Sequence, residues 1–131
     1  MPETPWISPY KIEPEADTDY LTVITYIPLT SYLKFPTFFK HAGLIQEQLH
    51  KSNGLIGFKI RADILTKNTY TISVWQDIKS YRDFVNSGNH KEIMDQEPEY
   101  LGENRKFVTV FIKGSEFPPS WQWALSKLKE H

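Results

Sequence analysis

The 131-residue chain contains no cysteine, which excludes a disulfide framework, a thiolate nucleophile and a cysteine-ligated zinc. It also lacks an excess of charge. Fifteen Lys and Arg face sixteen Asp and Glu, for a formal net charge of -1. Without a basic cluster there is no electrostatic footprint for nucleic acid or for an anionic membrane surface. The apolar runs are no longer than a strand, so no segment is expected to span a bilayer. The opening Met1-Pro2-Glu3-Thr4-Pro5 has none of the basic-then-apolar pattern of a signal peptide. Cytoplasm is the expected location. No Gly-x-Gly-x-x-Gly, Walker loop or Gly-x-Ser-x-Gly elbow occurs, so nucleotide and serine-hydrolase chemistry find no support.

Metal chemistry is equally thin. His41 and His50 lie nine residues apart on one expected helix, a rotation of about 180° that points them to opposite sides. No other histidine cluster has ligand spacing, so neither a metal nor another cofactor is expected. What the chain does have is rings: 15% of its residues are aromatic. Rings fill cores, but they also line pockets and dimer faces. The length suits one domain with one core.

Along the chain, residues 1–19 carry Pro2, Pro5, Pro9 and Pro14 and read as an extended arm, with Trp6, Ile7 and Tyr10 laid on a surface. Residues 20–131 form the expected domain. Tyr20–Ile27 is β-branched and aromatic, a strand apolar on both faces. From Pro36 to about Asn53 the spacing of Phe38, Ala42, Ile45 and Leu49 predicts a helix, stopped by Asn53-Gly54. Leu55–Leu65 and Thr69–Gln76 read as a hairpin across Thr66-Lys67-Asn68. Asp77 caps a second helix with Tyr81, Phe84 and Val85 on one face. Asn89-His90-Lys91-Glu92 has capping-box spacing and opens a short turn through Met94. After a polar loop, Arg105–Lys113 is a fourth strand, and Pro118-Pro119-Ser120 leads into a helix with Trp121, Leu125 and Leu128 on one side.

The order β-α-β-β-α-β plus a tail helix is that of an α+β, ferredoxin-like split βαβ sheet. Both helices of that topology cover one face. In the fourth strand, however, Phe107, Thr109 and Phe111 point one way and Val108, Val110 and Ile112 the other. A sheet apolar on both sides needs a second cover. The economical cover is a partner subunit's sheet, giving a homodimer. The alternative is that the arm or the tail helix folds back over the bare face.

The stretch Tyr70–Met94 resembles the antibiotic biosynthesis monooxygenase (ABM) superfamily of dimeric α+β barrels. The shared pieces are a third strand ending Ser-Val-Trp, an acidic helix cap, an aromatic at Phe84, then Ser87-Gly88 and His90. Gly54-Leu55-Ile56-Gly57 resembles the family's entry into its second strand. The resemblance, over roughly residues 20–113, implies oxygenation of phenols without metal or flavin in one branch and haem degradation in another. Trp75 matches the haem branch. Tyr20–Ile27 lacks that branch's Asn, and its iron-ligand position falls near Met94, with His90 one turn earlier. The expectation is therefore the cofactor-free branch.

The candidate site follows from these positions. Trp75 shares a strand face with Ser73 and Thr71, where a large ring beside small polar residues leaves room for a flat substrate; it can equally fill space under a helix. His90, at a helix start, is expected neutral under the helix dipole and able to accept a phenolic proton. A solvated surface histidine is its plainer reading. Arg61 is a candidate to hold a substrate oxyanion, against the commoner outward-pointing strand arginine. Phe84, Tyr26 and Phe38 are candidate aromatic lining, or simple core. The expected function is a cofactor-independent monooxygenase-like protein acting on a small phenolic or quinone-type compound. The alternative is a non-enzymatic dimeric module that binds a hydrophobic small molecule.

Overall fold

The computed structural model describes residues 3–131. Its strands are β1 (Asp19–Pro28), β2 (Leu55–Asp63), β3 (Asn68–Trp75) and β4 (Lys106–Lys113). Its helices are α1 (Phe35–Leu49), α2 (Ile78–Val85), α3 (Gly88–Asp95) and α4 (Trp121–Lys129). The strands form one antiparallel sheet in the order β2-β3-β1-β4, the ferredoxin-like arrangement that the element order implies. β1 lies between β3 and β4, so both of its hydrogen-bonding edges are paired.

Local chemistry sets the helix ends. Pro36 sits in the first turn of α1, where its missing N–H is no loss. Asp77 accepts a hydrogen bond from the Ser80 N–H at 2.8 Å, and Ser120 accepts one from the Trp123 N–H at 3.0 Å, so α2 and α4 carry side-chain caps. α1 ends at Leu49, before the expected Asn53. Gly54 then takes φ +83°, and a Cβ there would lie 2.1 Å from the Ser80 hydroxyl. The expected capping box of α3 does not form. The helix begins at Gly88, Asn89 donates to the Leu44 carbonyl at 2.8 Å, and the His90 N–H donates to Gln48 Oε1 at 2.7 Å. Gln48 of α1 also donates to the Phe84 and Ser87 carbonyls, each at 2.9 Å. One amide from a neighbouring helix thus fixes where α3 starts.

The alternating pattern sorts the sheet into two faces. On one, Leu21, Val23, Phe58 and Trp75 are buried with Leu49 and Phe84 beneath α1 and α2. On the other, Tyr20, Ile24, Ile72, Val74, Val108 and Ile112 are buried against Trp121, Ala124 and Leu128 of α4. This second face was expected to be closed by a partner's sheet. It is closed instead by the chain's own tail helix, with Trp6 of the arm and Phe117 packed against the same cluster. The apolar stripe of α4 needs burial as much as the sheet does, and folding it back satisfies both.

The arm adds to the sheet's edge. Ile7 and Phe58 exchange both backbone hydrogen bonds at 2.9 Å, and the Thr4 N–H donates to the Ile60 carbonyl at 2.8 Å. Trp6 then lies directly over Gly57, where a Cβ would come within 2.2 Å of its ring. The arm occupies the free edge of β2. Among the described strands, β4 keeps an unpaired edge, and on it Phe107 and Phe111 stay 45% and 60% exposed.

Candidate functional site

Between the sheet and α1–α3 lies a cavity of about 110 Å³. Its floor is the sheet face bearing Val23, Thr25, Phe58, Ile60, Thr71 and Ser73. The roof comes from Phe38, Ala42 and Ile45 of α1, Tyr81 and Phe84 of α2, and His90 and Met94 of α3. Tyr100 and Leu101 close one side, and Phe107 of β4 stands beside it. Most of this lining is hydrocarbon, and no Lys or Arg belongs to it.

His90 is the titratable group best placed for chemistry. Its Nδ1 lies 3.2 Å from the Val85 carbonyl. A carbonyl only accepts, so Nδ1 carries the proton and the neutral ring presents Nε2 as an acceptor. Burial holds its pKa below the ordinary histidine value, and the Val85 hydrogen bond opposes that shift only in part. Burial is the leading cause of that lowered value, whereas the expectation from sequence rested on the helix dipole. His90 also stacks at a tilt on Phe84, with ring centroids 5.0 Å apart, so it is not a solvated surface histidine.

The other candidates divide between the two sheet faces. Phe38 and Phe84 line the cavity with His90. Trp75 does not. It is wholly buried behind Phe84, 5.1 Å away between centroids, and its Nε1 donates to Ser73 Oγ at 2.9 Å. Tyr26 lies on the α4 side, stacked on Tyr70 at 5.4 Å and donating to Asn68 Oδ1 at 3.1 Å. Arg61, paired across the strands with Tyr70, is on that side too and beside the arm. It follows Ile60 of the floor, and one residue along a strand reverses the side-chain direction. Trp75, His90 and Arg61 therefore do not converge on one cavity.

Tyr100 joins the site from a segment where the sequence offers no candidate, and Met94 lines it as a plain apolar side chain. Tyr100 sits in what reads as a polar loop, yet Tyr100-Leu101 is an apolar pair within it, which is the signal of a segment turned inward. Its hydroxyl is 2.7 Å from His41 Nδ1, and its ring packs edge-on against Phe38 at 5.5 Å. Burial pushes the Tyr100 pKa up to about 12. Burial, then the Lys40 charge, lower that of His41, so both partners are neutral at pH 7. Tyr100→Phe keeps the ring and removes this bond. It should cost about 1 kcal/mol, the usual net worth of one hydrogen bond, read as a shift in the urea midpoint.

Among the described residues no group of three or more His, Cys, Asp or Glu side chains is placed to hold a metal ion. His50 instead packs edge-on against Phe58 at 5.7 Å. A haem does not fit either: 110 Å³ between packed rings is far too small for the macrocycle. No helix among the described residues is long and apolar enough to cross a membrane.

No curated protein matches the chain. Solved structures share its fold at low identity. A conserved protein from Methanosarcina mazei Go1 superposes with TM-score 0.62 at 17% identity, over 70% of this chain and 90% of its own. PA3566 from Pseudomonas aeruginosa gives TM-score 0.60 at 17% identity, over 72% and 95%. A protein described as an antibiotic biosynthesis monooxygenase gives 0.61 at 10% identity, over 69% and 95%. The family model that matches, over residues 40–130, is described as a domain of unknown function, DUF3291. The chain belongs to this DUF3291 family and carries the α+β fold of the antibiotic biosynthesis monooxygenases.

Proposed function

We propose that this protein is a cofactor-independent monooxygenase of small phenolic or quinone-type compounds, with His90 as its general base. The observation that supports this most is a neutral histidine, its Nδ1 proton committed to Val85, at the wall of an otherwise apolar cavity. Such an Nε2 takes the phenolic proton, and the phenolate is electron-rich enough to react with dioxygen. The substrate supplies every electron. A phenol and one dioxygen give a quinone and one water, so no flavin or metal is needed for balance. Phe38, Phe58 and Phe84 hold the ring flat and keep bulk water away from it.

One observation favours the second reading, a binding module without catalysis: no cationic side chain in the lining holds the oxyanion. An oxygen electrode separates the two. With hydroxyaryl compounds at millimolar concentration, the enzyme consumes one dioxygen per substrate and forms a quinone. Saturable binding with no uptake across the set would leave the binding module.

The homodimer also belongs to this proposal, with its interface moved. The helix-free face is closed by α4. The support is now at β4, whose edge is unpaired and carries two exposed rings, Phe111 and the cavity-lining Phe107. A second copy covers both the edge and the rings. Light scattering should give a dimer for the native chain and a folded monomer for Phe111→Asp. A native monomer at tens of micromolar would end the dimer proposal.

A further inference from the structure

The cavity floor carries hydroxyl groups where the roof is almost all hydrocarbon. Thr71 and Ser73 alternate along β3, and Thr25 faces Thr71 across the β1–β3 pair. The Thr25 and Thr71 hydroxyls bond to each other. That bond uses one of their two hydrogens and leaves one to give. Ser73 Oγ accepts from Trp75 Nε1 at 2.9 Å, and its own hydrogen has no protein acceptor among the described residues. Thr69, next in the row, differs: its hydroxyl is spent on the Ile27 carbonyl at 2.6 Å. The floor thus offers donors beneath Ser73 and the threonine pair, while His90 in the roof offers an acceptor.

Size restricts what bridges them. A cavity of about 110 Å³ is of the same order as the roughly 150 Å³ apolar cavity that takes up benzene. Its walls include Phe38, Phe58 and Phe84, exposed by only 6%, 1% and 8%. Packed rings of this kind do not part to admit a fused system without loss of contact on both sides.

We infer that the cavity is a site for a single-ring hydroxyaryl compound with a second oxygen across the ring, and that it excludes fused-ring phenols. The ring hydroxyl donates to His90 Nε2, and the distal oxygen accepts from Ser73 and the Thr25–Thr71 pair. This rests on the reading of His90 as the acceptor given above, and narrows the substrate from small aromatics in general to one ring with two polar ends. The floor donors need no charge, because a carbonyl or hydroxyl oxygen is satisfied by neutral hydroxyls.

Calorimetric titration with three probes tests it. 4-Hydroxyacetophenone has both ends, 4-ethylphenol lacks the distal oxygen at nearly the same size, and 1-anthrol has three fused rings. The expected order is 4-hydroxyacetophenone about fivefold or more tighter than 4-ethylphenol, the size of one net hydrogen bond, with 1-anthrol weaker by a further factor of ten or undetectable. Ser73→Ala and Thr71→Val, made separately and checked for folding by circular dichroism, should each narrow the gap between the first two probes. Affinity for 4-ethylphenol should hold within about twofold in both variants, since only a neutral hydrogen bond to the missing oxygen is lost. Two variants are used because Ser73→Ala also strips Trp75 of its acceptor, whereas Thr71→Val keeps the side-chain shape. Binding of 1-anthrol as tight as that of the single rings overturns the inference. So does an unchanged gap in both variants, or no binding of 4-hydroxyacetophenone. Binding in the expected order without oxygen uptake leaves the inference standing and sinks the enzymatic reading alone.

Discussion

Trp75→Ala should lower the unfolding free energy by about 3–5 kcal/mol, the usual cost of deleting a large core ring. Trp75 has no exposed surface. It ends β3, an inner strand, beneath α2. Tyr81 and Phe84 pack on it at 5.8 Å and 5.1 Å between centroids. Truncation leaves a void among Leu21, Leu55 and Phe58 that the flanking strands are too firmly paired to close. It also strands nothing polar, since Ser73 keeps its hydroxyl within reach of the cavity. Urea denaturation should show the midpoint falling with an unchanged slope. A loss under about 1.5 kcal/mol would mean that α2 collapses onto the sheet and refills the site. Because Phe84 rests on Trp75 and His90 on Phe84, any activity lost in this variant reports a displaced wall. Trp75→Phe, which keeps most of the volume, is the variant to assay for chemistry.

How much of this was legible in the sequence follows from what each signal measures. Strand and helix periodicity report which residues are buried, and they placed all four strands and the four α-helices to within a few residues. Periodicity cannot report what does the burying. Val108, Val110 and Ile112 demanded a cover, but a partner's sheet and the chain's own α4 satisfy that demand equally well, and the apolar face of α4 was the counter-signal. Arg61 and Tyr26 show the same limit at the site. Residue type and strand position make both candidates, while register decides the face: Ile60 and Thr25 point into the cavity, and Arg61 and Tyr26 do not. A tertiary hydrogen bond also leaves no local trace. Gln48, forty-two residues before His90, caps α3 where a capping box had been read. Tyr100 entered from a loop because its ring, like Leu101, is apolar in polar company.

His90→Ala should lower turnover of a hydroxyaryl substrate by about 10²-fold, the usual effect of losing a general base, while the fold survives. The start of α3 depends on the His90 backbone N–H and Gln48, not on the imidazole, so the stability cost should stay near 1 kcal/mol. The pH dependence distinguishes a base from a wall. Only neutral imidazole accepts the substrate proton, and burial holds the His90 pKa below its ordinary value. The native kcat/KM should therefore rise with pH through a midpoint under about 6.5 and level off above it. In His90→Ala that rise should vanish with the activity. Stability moves in the same window for a linked reason. Where the unfolded histidine binds a proton that the buried one resists, the unfolded state holds more protons and ΔG of unfolding falls on acidification. For His90 the penalty is absent well above the unfolded value of about 6.5. It grows as the pH drops towards the lowered folded pKa, and is constant below it. His90→Ala should lose less stability between pH 7 and pH 5 than the native protein does. His41, lowered as well, keeps its share in both. Turnover unchanged by the substitution would remove His90 from the mechanism and leave an aromatic binding cavity without a base.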